Sequence, residues 1–375
     1  MKPFEKPIYV TRPFLPPLPE YCKGLEEIWK SKWLTNDGPV LQRLEKQLSE
    51  YMDTINLCVF ANGTLALQIG LHGMGISGEV ITTPFTFVAT THALYWNKIR
   101  PVFCDIETDY FTLDPEKVEE SITPWTTAIL AVHVFGYPCQ LDALADIAKR
   151  HSLALIYDAA HAFGVKVNGK SIAHYGDLSM FSFHATKLYH SLEGGMLSFK
   201  NRELKKTFNY LKNFGFKSQT EVVMHGTNAK MTEMQSLMGI QVLNYVDEII
   251  AKQKQIDIIY RERLQDLPGI QFCPEPPEYV QYNYSYVTVE IDEKEFSLSR
   301  DGLFEKLKHY NVFSRRYFYP LVCDFSCYQN VSVSDPLTIA RRVSSRILNL
   351  PTYYDLKLDD VNRICDIITC IQRML

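Results

Sequence analysis

The sequence predicts an α/β protein with a mainly parallel sheet, covered by helices on both faces, and a smaller α+β domain behind it. Two observations lead to this fold class. Continuous apolar segments alternate with helical patterns up to about residue 244, and the pattern changes beyond that point. In addition, 375 residues are too many for one ordinary core and enough for two. We therefore predict a large domain at residues 1–244 and a small domain at residues 245–375.

The helices of the first part are recognised by apolar residues that recur at helical spacing. Leu41, Leu44 and Leu48 recur in this way after a Gly-Pro pair, which is a common helix start. Further helices are predicted at residues 65–74, 88–96 and 141–149.

The strands of the first part are short runs rich in branched and aromatic residues. They are predicted at residues 80–83, 101–106, 128–135, 153–157, 178–183 and 196–199. Because these apolar strands alternate with helices, the sheet is expected to be mainly parallel and buried on both faces. Ligands of such sheets bind outside the carboxyl ends of the strands, so we look for functional residues there.

The second part has a different pattern of elements. A long charged helix at residues 244–267 leads into a proline-rich connection. A strand at residues 287–291 follows, and helices are predicted at residues 300–310, 339–348 and 359–375. This mixture is typical of a small α+β domain.

Composition excludes several classes of function. The formal net charge is -4 and no basic stripe occurs, so nucleic acid is not an expected partner. Proline and charge interrupt the N-terminal segment, which therefore does not resemble a secretory signal. No run of about 18 apolar residues occurs, so no membrane association is expected. A cytoplasmic protein is the resulting expectation.

Two motif matches are rejected at this stage. The nine cysteines are scattered without a CxxC pair, which favours reduced thiols and predicts no metal site. Gly73, Gly75 and Gly78 match GxGxxG, but here a helix precedes the glycines and a strand follows them. A dinucleotide site requires the opposite order.

Lys187 is the first candidate functional residue. It ends the segment Phe-Ser-Phe-His-Ala-Thr-Lys after an apolar strand, and Glu-Gly-Gly follows at residues 193–195. A lysine at the end of an apolar strand loses hydration, so its pKa falls and its amine becomes nucleophilic. Such an amine can form a Schiff base, although a single loop lysine is more often simply solvated.

Asp158 is the second candidate and lies at the carboxyl end of another apolar strand. It begins the segment Asp-Ala-Ala-His that ends at His161. A carboxylate in this position is costly unless it is paired or lies near a cationic ligand. Taken alone, a helix cap is the commoner role for such a residue.

Two further segments complete the set of candidates. The Asn-Gly-Thr segment at residues 62–64 begins a helix, whose free N–H groups and dipole suit a phosphate, or else form an ordinary cap. Aromatic residues in the Pro-Phe-Thr-Phe segment at residues 84–87 could stack on a planar ring, or else belong to the core. Together the four elements match the needs of pyridoxal 5'-phosphate (PLP): a lysine, a carboxylate for the ring nitrogen, phosphate donors and a stacking face.

These motifs resemble those of the sugar aminotransferases of the DegT/DnrJ/EryC1/StrS family. The resemblance covers nearly the whole chain. It is carried by Trp-Leu-Thr-Asn-Asp-Gly-Pro at residues 33–39, by the four segments above, and by Gly-Thr-Asn-Ala-Lys-Met at residues 226–231. It implies a fold-type I enzyme, similar to aspartate aminotransferase, with a seven-stranded sheet in the large domain.

The resemblance also implies roles for single residues. Lys187 would bind the aldehyde of PLP, Asp158 would pair with the pyridine nitrogen, and Phe87 would stack on the ring. Further cofactor contacts are implied for Gly63, Thr64, His161 and Ser182. Asn228 would reach the cofactor phosphate of a second subunit, which implies a homodimer with active sites at the interface.

The substrate site is implied with less detail. The substrate-binding candidates are Thr35, Asn36, His184, Arg315 and Tyr317, with Arg316 and Tyr319 close by. An arginine pair suits a diphosphate but is equally ordinary on a surface.

The implied reaction is transamination of a nucleotide-linked 4-keto-6-deoxyhexose with L-glutamate as the amino donor. The finer resemblance favours dTDP-4-keto-6-deoxy-D-glucose, with its 4-amino product used for surface polysaccharide such as the O-antigen of lipopolysaccharide. Relatives that act as dehydratases replace the lysine with histidine, whereas this chain keeps Lys187. A GDP-perosamine-type enzyme, a carbon-3 aminotransferase and a non-catalytic sensor of PLP or a nucleotide sugar remain as alternatives.

Overall fold

The computed structural model describes residues 1–328 and 331–374. Its strands, numbered in chain order, are β1 (Ile8–Tyr9), β2 (Leu57–Phe60), β3 (Glu79–Thr82), β4 (Arg100–Phe103), β5 (Thr126–Val132), β6 (Ala154–Asp158), β7 (Lys166–Val167), β8 (Lys170–Ser171), β9 (Leu178–Ser182), β10 (Gly195–Phe199), β11 (Phe216–Ser218), β12 (Glu221–Val222), β13 (Ile270–Phe272), β14 (Val280–Gln281), β15 (Val287–Ile291), β16 (Val312–Phe313), β17 (Ser332–Val333) and β18 (Ile347–Leu350).

The helices lie between these strands in sequence, and the last helix follows β18. They are α1 (Leu18–Ser31), α2 (Pro39–Tyr51), α3 (Gly63–Gly73), α4 (Val88–Trp96), α5 (Pro115–Glu120), α6 (Leu141–Arg150), α7 (Leu204–Leu211), α8 (Glu233–Leu243), α9 (Val246–Leu264), α10 (Glu293–Phe296), α11 (Arg300–His309), α12 (Thr338–Arg346) and α13 (Leu358–Arg373). No helix in the described part of the chain is both long enough and apolar enough to cross a membrane.

A mixed, mainly parallel sheet forms the centre of the protein, as predicted. Its strand order is β17-β4-β3-β5-β6-β9-β10-β2. Neighbouring strands from β17 to β9 are parallel, and β10 runs antiparallel to both β9 and β2. The sheet has the seven expected strands and one more, because the C-terminal part of the chain adds the two-residue edge strand β17.

The strand ends define the edge at which a ligand would bind. β6 ends at Asp158 and β9 ends at Ser182, so both residues lie at the carboxyl edge of the parallel strands. β10 runs the other way and begins at this edge, where Gly195 pairs with Ser182 on one side and with Phe60 on the other. Candidate residues from distant parts of the sequence therefore meet at one edge.

A second, smaller sheet belongs to the C-terminal part of the chain. β15 lies between β13 and β18, and both pairings are antiparallel. Buried apolar side chains such as Leu264, Val289, Leu307 and Ile368 form a core between this sheet and the helices α9, α11 and α13. The mixture of helices and antiparallel strands agrees with an α+β arrangement.

Several predicted elements end earlier than the sequence indicated, among them the strand at residues 101–106, which stops at Phe103. The strand predicted at residues 128–135 stops at Val132, because Phe135 and Gly136 adopt positive φ angles of 55° and 96° and turn the chain. The helix predicted at residues 339–348 stops at Arg346, and the last residues of that prediction belong to β18. Apolar periodicity alone does not separate a helix from the buried strand that follows it.

The chain crosses between its two parts more than once. β1 pairs with β16, so the first residues of the chain pack against the C-terminal part. In the opposite direction, β14 pairs with β7 and β17 joins the central sheet. α9 contributes Ile249 to one core and Tyr260 to the other. A division between residues 244 and 245 stays a prediction.

Candidate active site

A cavity of about 1060 Å³ lies at the carboxyl edge of the central sheet. Its lining comes from three parts of the chain: the sheet edge with its following loops, the C-terminal part, and an N-terminal arm. Among the lining residues are Gly63, Thr64, Phe87, Asp158, His161, Ser182, His184 and Lys187 from the first, Arg315 and Tyr317 from the second, and Arg12 and Phe14 from the third. Most residues that the sequence singled out therefore share one cavity.

Asp158 is almost fully buried, and its carboxylate accepts two hydrogen bonds. The Thr90 hydroxyl donates to Oδ2 at 2.7 Å and the Ala160 N–H donates to Oδ1 at 3.0 Å. Since the proton of Thr90 is used in this way, the Thr86 hydroxyl donates to Thr90 at 2.8 Å. Burial raises the pKa of Asp158, whereas these hydrogen bonds and the charge of Lys187 oppose the rise. A cation placed beside this carboxylate would favour the ionised form further.

Lys187 points its amine into the same cavity. Its backbone N–H donates to the His184 carbonyl at 2.9 Å, which closes a turn directly after β9. Removal from water lowers the pKa of Lys187 to about 8, although the charge of Asp158 acts in the other direction. At neutral pH a fraction of the amine is therefore unprotonated and nucleophilic, as the sequence predicted.

The start of α3 forms an anion-binding corner beside Ser182. Asn62 caps the helix, with its side-chain oxygen accepting the Leu65 N–H at 2.8 Å. The first N–H groups of the helix, on Gly63 and Thr64, have no carbonyl inside the helix to bind. A Cβ on Gly63 would lie 3.1 Å from the Cβ of Ser182, so the two residues are direct neighbours. N–H groups, a hydroxyl and the helix dipole converge here, which suits a phosphate.

Gly195 makes this corner possible. A Cβ at this position would lie 2.6 Å from the backbone of both Asn62 and Gly63. Only a residue without a side chain lets the start of α3 approach the sheet this closely. The Glu-Gly-Gly segment at residues 193–195 thus shapes this anion-binding corner, the phosphate corner of the cavity. It does not shape the surroundings of Lys187.

His161 is held as a neutral ring against aromatic neighbours. Its Nδ1 accepts the Phe135 N–H at 3.1 Å, so the proton is on Nε2. The ring lies parallel to Phe318, with centroids 6.0 Å apart, and near Tyr286 at 4.6 Å. Burial lowers the pKa of His161 well below 6.5. The Asn283 side chain donates to the His161 carbonyl at 2.8 Å and fixes the loop.

Phe87 and His184 both line the cavity at more open positions. The Phe87 ring is 59% exposed and directly precedes α4, so one face is free to stack on a planar ligand. The His184 Nδ1 lies 2.7 Å from the Thr186 hydroxyl, and its Nε2 lies 3.6 Å from the Glu193 carboxylate. Because Nδ1 also accepts the Thr186 N–H at 3.3 Å, the proton of a neutral ring lies on Nε2, on the side of Glu193.

Three predicted residues lie outside the cavity of their own chain. Thr35 and Asn36 lie in a separate shallow depression formed by residues 31–36. Asn228 is exposed, and its side-chain oxygen accepts a hydrogen bond from Lys230 at 2.8 Å. None of these three residues is among those that line the cavity of its own chain, although Thr227, next to Asn228, is.

Of the two arginines and two tyrosines at residues 315–319, one of each lines the cavity. Arg315 and Tyr317 line the cavity, whereas Arg316 and Tyr319 are not among its lining residues. Arg316 donates to Asp301 at 2.9 Å and lies over the ring of Phe304. Arg315 is exposed and Arg316 is half-buried, so the alternative of a surface pair stays open and only the contact of Arg315 with the cavity separates the two.

Sequence reasoning missed several residues of this site. Thr90 and Thr86 support Asp158, but threonine in a helix gives no distinctive signal. Arg12 lies in a proline-rich arm without periodicity, so its place at the cavity could not be foreseen. Thr86 lies in the loop between β3 and α4, and Thr90 lies in the first turn of α4, so no common period links them.

The described residues fit PLP. A lysine with a lowered pKa, a buried carboxylate without a full cationic partner, a helix start shaped by glycine, and a free aromatic face surround one cavity. On this fold they define a PLP-dependent aminotransferase. The chain belongs to the DegT/DnrJ/EryC1/StrS aminotransferase family, whose model matches residues 19–369.

Known proteins match this chain over nearly its whole length. A dTDP-4-amino-4,6-dideoxy-D-glucose transaminase of Shigella dysenteriae is 43% identical over 355 residues, which cover 95% of this chain and 96% of that protein. A transaminase of the same name from Escherichia coli is 42% identical and covers 96% and 97%. The crystal structure of DesI in the presence of its TDP-sugar product superposes with a TM-score of 0.94 at 36% identity, covering 100% of this chain and 95% of that chain.

Proposed function

We propose that this enzyme transfers the amino group of L-glutamate to carbon 4 of dTDP-4-keto-6-deoxy-D-glucose, giving dTDP-4-amino-4,6-dideoxy-D-glucose. The observation that carries the proposal is the meeting of Lys187 and Asp158 in one cavity, where burial lowers the pKa of the lysine to about 8. The names of two relatives more than 40% identical to this chain support the choice of sugar nucleotide.

PLP supplies an electron sink that stabilises the negative charge left when a substrate carbon loses its proton. Lys187 binds the cofactor aldehyde when no substrate is present. The Lys187 amine would also move the protons of the reaction, taking the one lost at the donor carbon and supplying the one gained at carbon 4 of the sugar. Its lowered pKa suits both tasks, because the amine must gain and lose a proton near neutral pH.

Asp158 would pair with the ring nitrogen of the cofactor and favour its protonated form. The hydrogen bonds from Thr90 and Ala160 hold its two oxygens in place and favour the ionised carboxylate. Gly63, Thr64 and Ser182 bind the cofactor phosphate at the start of α3, and Phe87 covers one face of the ring. His161 stays neutral beside the ring, and His184 faces the substrate.

We also propose that the active form is a homodimer. Trp33 and Leu34 are half exposed, next to Thr35 and Asn36, and the exposed hairpin β11–β12 carries Phe216 and Val222. Apolar surface of this kind is typical of an interface. Such an interface would bring Asn228, Thr35 and Asn36 to the partner's cavity, which explains their position outside their own.

The same proposal gives the enzyme a biological setting. Deoxyaminosugars of this type are used in bacterial surface polysaccharide, and we propose O-antigen or lipopolysaccharide biosynthesis in the cytoplasm as the use of the product. The alternative substrates stay a GDP-linked 4-keto sugar and a 3-keto sugar. A non-catalytic sensor would have no need of a lysine with a lowered pKa beside a buried carboxylate.

Separate half-reactions test this function. The PLP-loaded enzyme is treated with L-glutamate, freed of donor, and then given dTDP-4-keto-6-deoxy-D-glucose. We expect the near-visible absorption band of the lysine-bound cofactor to disappear with glutamate and to return with the sugar. Bleaching without recovery would move the assignment to a GDP-linked or 3-keto sugar, and failure to form any band with added PLP would contradict the cofactor site.

Lys187→Ala gives the matched negative control. We expect no turnover and no lysine-bound band, because no other lysine lines the cavity in the described part of the chain. Normal turnover by a folded Lys187→Ala variant would contradict the assignment of this residue. Lys46→Ala is the comparison variant, since the Lys46 side chain is 77% exposed and lies outside the cavity, so this variant should keep the band.

A further inference from the structure

Arg12 and Arg315 lie at the cavity with positive charges that no carboxylate neutralises. Within residues 1–328 and 331–374 neither guanidinium has an ion-pair partner, and each lies over an aromatic ring instead. The guanidinium carbon of Arg12 is 5.7 Å from the centroid of Tyr353, and that of Arg315 is 5.6 Å from the centroid of Tyr317. An aromatic face orients a guanidinium group and leaves its N–H donors free.

The backbone brings the two arginines to the same place from opposite ends of the sequence. β1 and β16 are parallel, with Ile8 opposite Val312 and Tyr9 opposite Phe313. Arg12 follows the end of β1 and Arg315 follows the end of β16. Because parallel strands end at the same edge, both arginines leave the pair toward the cavity that they line.

A single segment of the small sheet anchors both arginines. Arg315 and Asn349 exchange backbone hydrogen bonds of 3.1 Å and 2.7 Å. A few residues further on, the Thr352 N–H donates to the Val10 carbonyl at 2.9 Å. The two arginine-bearing chains are therefore fixed to adjacent positions of one backbone before any ligand binds.

The N-terminal arm is also tied to the segment that carries Lys187. His190 is buried, and its Nδ1 accepts the Leu192 N–H at 3.3 Å, so its Nε2 carries the proton and donates to the Phe14 carbonyl at 2.6 Å. The Phe14 ring packs against Tyr245 and Tyr354. The backbone two residues after Arg12 is thus fixed to the Lys187 segment, whereas the Arg12 side chain itself is exposed.

We propose that Arg12 and Arg315 form a clamp for the diphosphate group of the nucleotide sugar, an inference that rests on the proposed function. Two guanidinium groups can bind the oxygens of two linked phosphoryl groups with paired N–H donors. Because the N-terminal arm and β16 are already anchored, little order is lost when the ligand binds. The clamp holds the diphosphate near the two arginines, and the keto carbon then lies deeper, within reach of Lys187.

Binding of dTDP and of thymidine to the PLP-loaded enzyme tests the clamp. The variants are Arg12→Gln, Arg315→Gln and the double variant, with Arg202→Gln as a control whose arginine is 85% exposed and pairs only with Glu203. We expect each single variant to bind dTDP roughly tenfold more weakly, and the double variant more weakly still. Thymidine binding and the half-reaction with glutamate should not change. Retention of the lysine-bound absorption band shows that each variant is folded.

Different results would contradict the proposed function and the diphosphate clamp. A wild-type enzyme that does not exchange its amino group with glutamate and the dTDP sugar contradicts the proposed function, and the clamp falls with it. A wild-type enzyme that turns over normally, while all three variants bind dTDP as tightly as it does, overturns the clamp alone. A loss of activity that is confined to the glutamate half-reaction would also overturn the clamp, because the arginines would then bind the carboxylates of the amino donor.

Discussion

At the scale of single residues, Lys187 and Asp158 define each other's properties. Burial disfavours the charged form of both, so the pKa of Lys187 falls and that of Asp158 rises, while their mutual attraction opposes both shifts. Their positions at strand ends made both residues predictable from the sequence. Thr90 was not predictable, because its hydrogen bond to Asp158 joins residues far apart in sequence.

Asp158→Asn tests the role of the carboxylate. The substitution keeps the shape of the side chain but removes the charge that, in the proposed function, would stabilise a protonated ring nitrogen. We expect the turnover number to fall by about 10²-fold or more, with PLP still bound at the phosphate corner. Rates of the two half-reactions in single-turnover experiments give the measurement.

Asp177→Asn is the matched control for this variant. Asp177 also accepts a backbone N–H, that of Leu155 at 2.9 Å, but lies outside the cavity. We expect it to change stability without changing turnover per folded enzyme. A mild effect of Asp158→Asn, similar to that of the control, would contradict the pairing with the ring nitrogen.

At the scale of elements, the ends of β6, β9 and β10 and the start of α3 assemble the site. Strands with continuous apolar runs were visible in the sequence, and α4 and β15 have the predicted bounds. β2, α7 and α8 were missed, because short or evenly apolar segments give no clear period. The phosphate corner lies between the start of α3 and the sheet edge where β2 pairs with β10, and only α3 was predicted.

Gly195→Ala tests how closely α3 must approach the sheet. The new methyl group would overlap the backbone of Asn62 and Gly63 at 2.6 Å, so the start of α3 must move away. We expect a loss of stability of about 1–3 kcal/mol and faster release of PLP. The free energy of unfolding and the dissociation rate of PLP give the measurements.

Gly75→Asn serves as the comparison for the glycine variant. Gly75 has a φ of 70° but open space around it, and asparagine tolerates this conformation. We expect little change in PLP release. Equal PLP affinity in wild type and Gly195→Ala would show that the corner does not depend on this close approach.

At the scale of the whole molecule, the ends of the chain complete a site that the central sheet begins. β1 pairs with β16, and β17 joins the edge of the large sheet. Strands of two residues that pair across most of the chain leave no periodic signal, so the sequence could not reveal them. For the same reason Arg12 was not predicted from the sequence, whereas Arg315 was predicted together with its neighbour Tyr317.

Buried histidines make the stability of the molecule depend on pH. Burial lowers the pKa of His133 from 6.5 to about 3, and its Nδ1 accepts the Cys139 N–H at 3.0 Å. Below pH 6.5 the unfolded chain gains a proton that the folded chain does not, so stability falls as pH falls toward 3. From pH 6.5 to 5 this residue alone should lower the free energy of unfolding by about 2 kcal/mol.

His133→Asn removes this titration and can keep an acceptor for the Cys139 N–H. We expect stability to fall less steeply between pH 7 and pH 5 than in the wild type, whatever the constant offset caused by the smaller side chain. His72→Asn, at an exposed histidine, should leave the slope unchanged. Identical slopes in all three proteins would mean that His133 titrates normally in the folded state.

The most direct test of the central claim follows the nitrogen atom itself. The enzyme is supplied with ¹⁵N-labelled L-glutamate and dTDP-4-keto-6-deoxy-D-glucose, and the sugar product is analysed by mass spectrometry and NMR. We expect one ¹⁵N atom in the product, bonded to carbon 4, and none when Lys187→Ala replaces the wild type. An unlabelled sugar, or label bonded to carbon 3, would contradict the account.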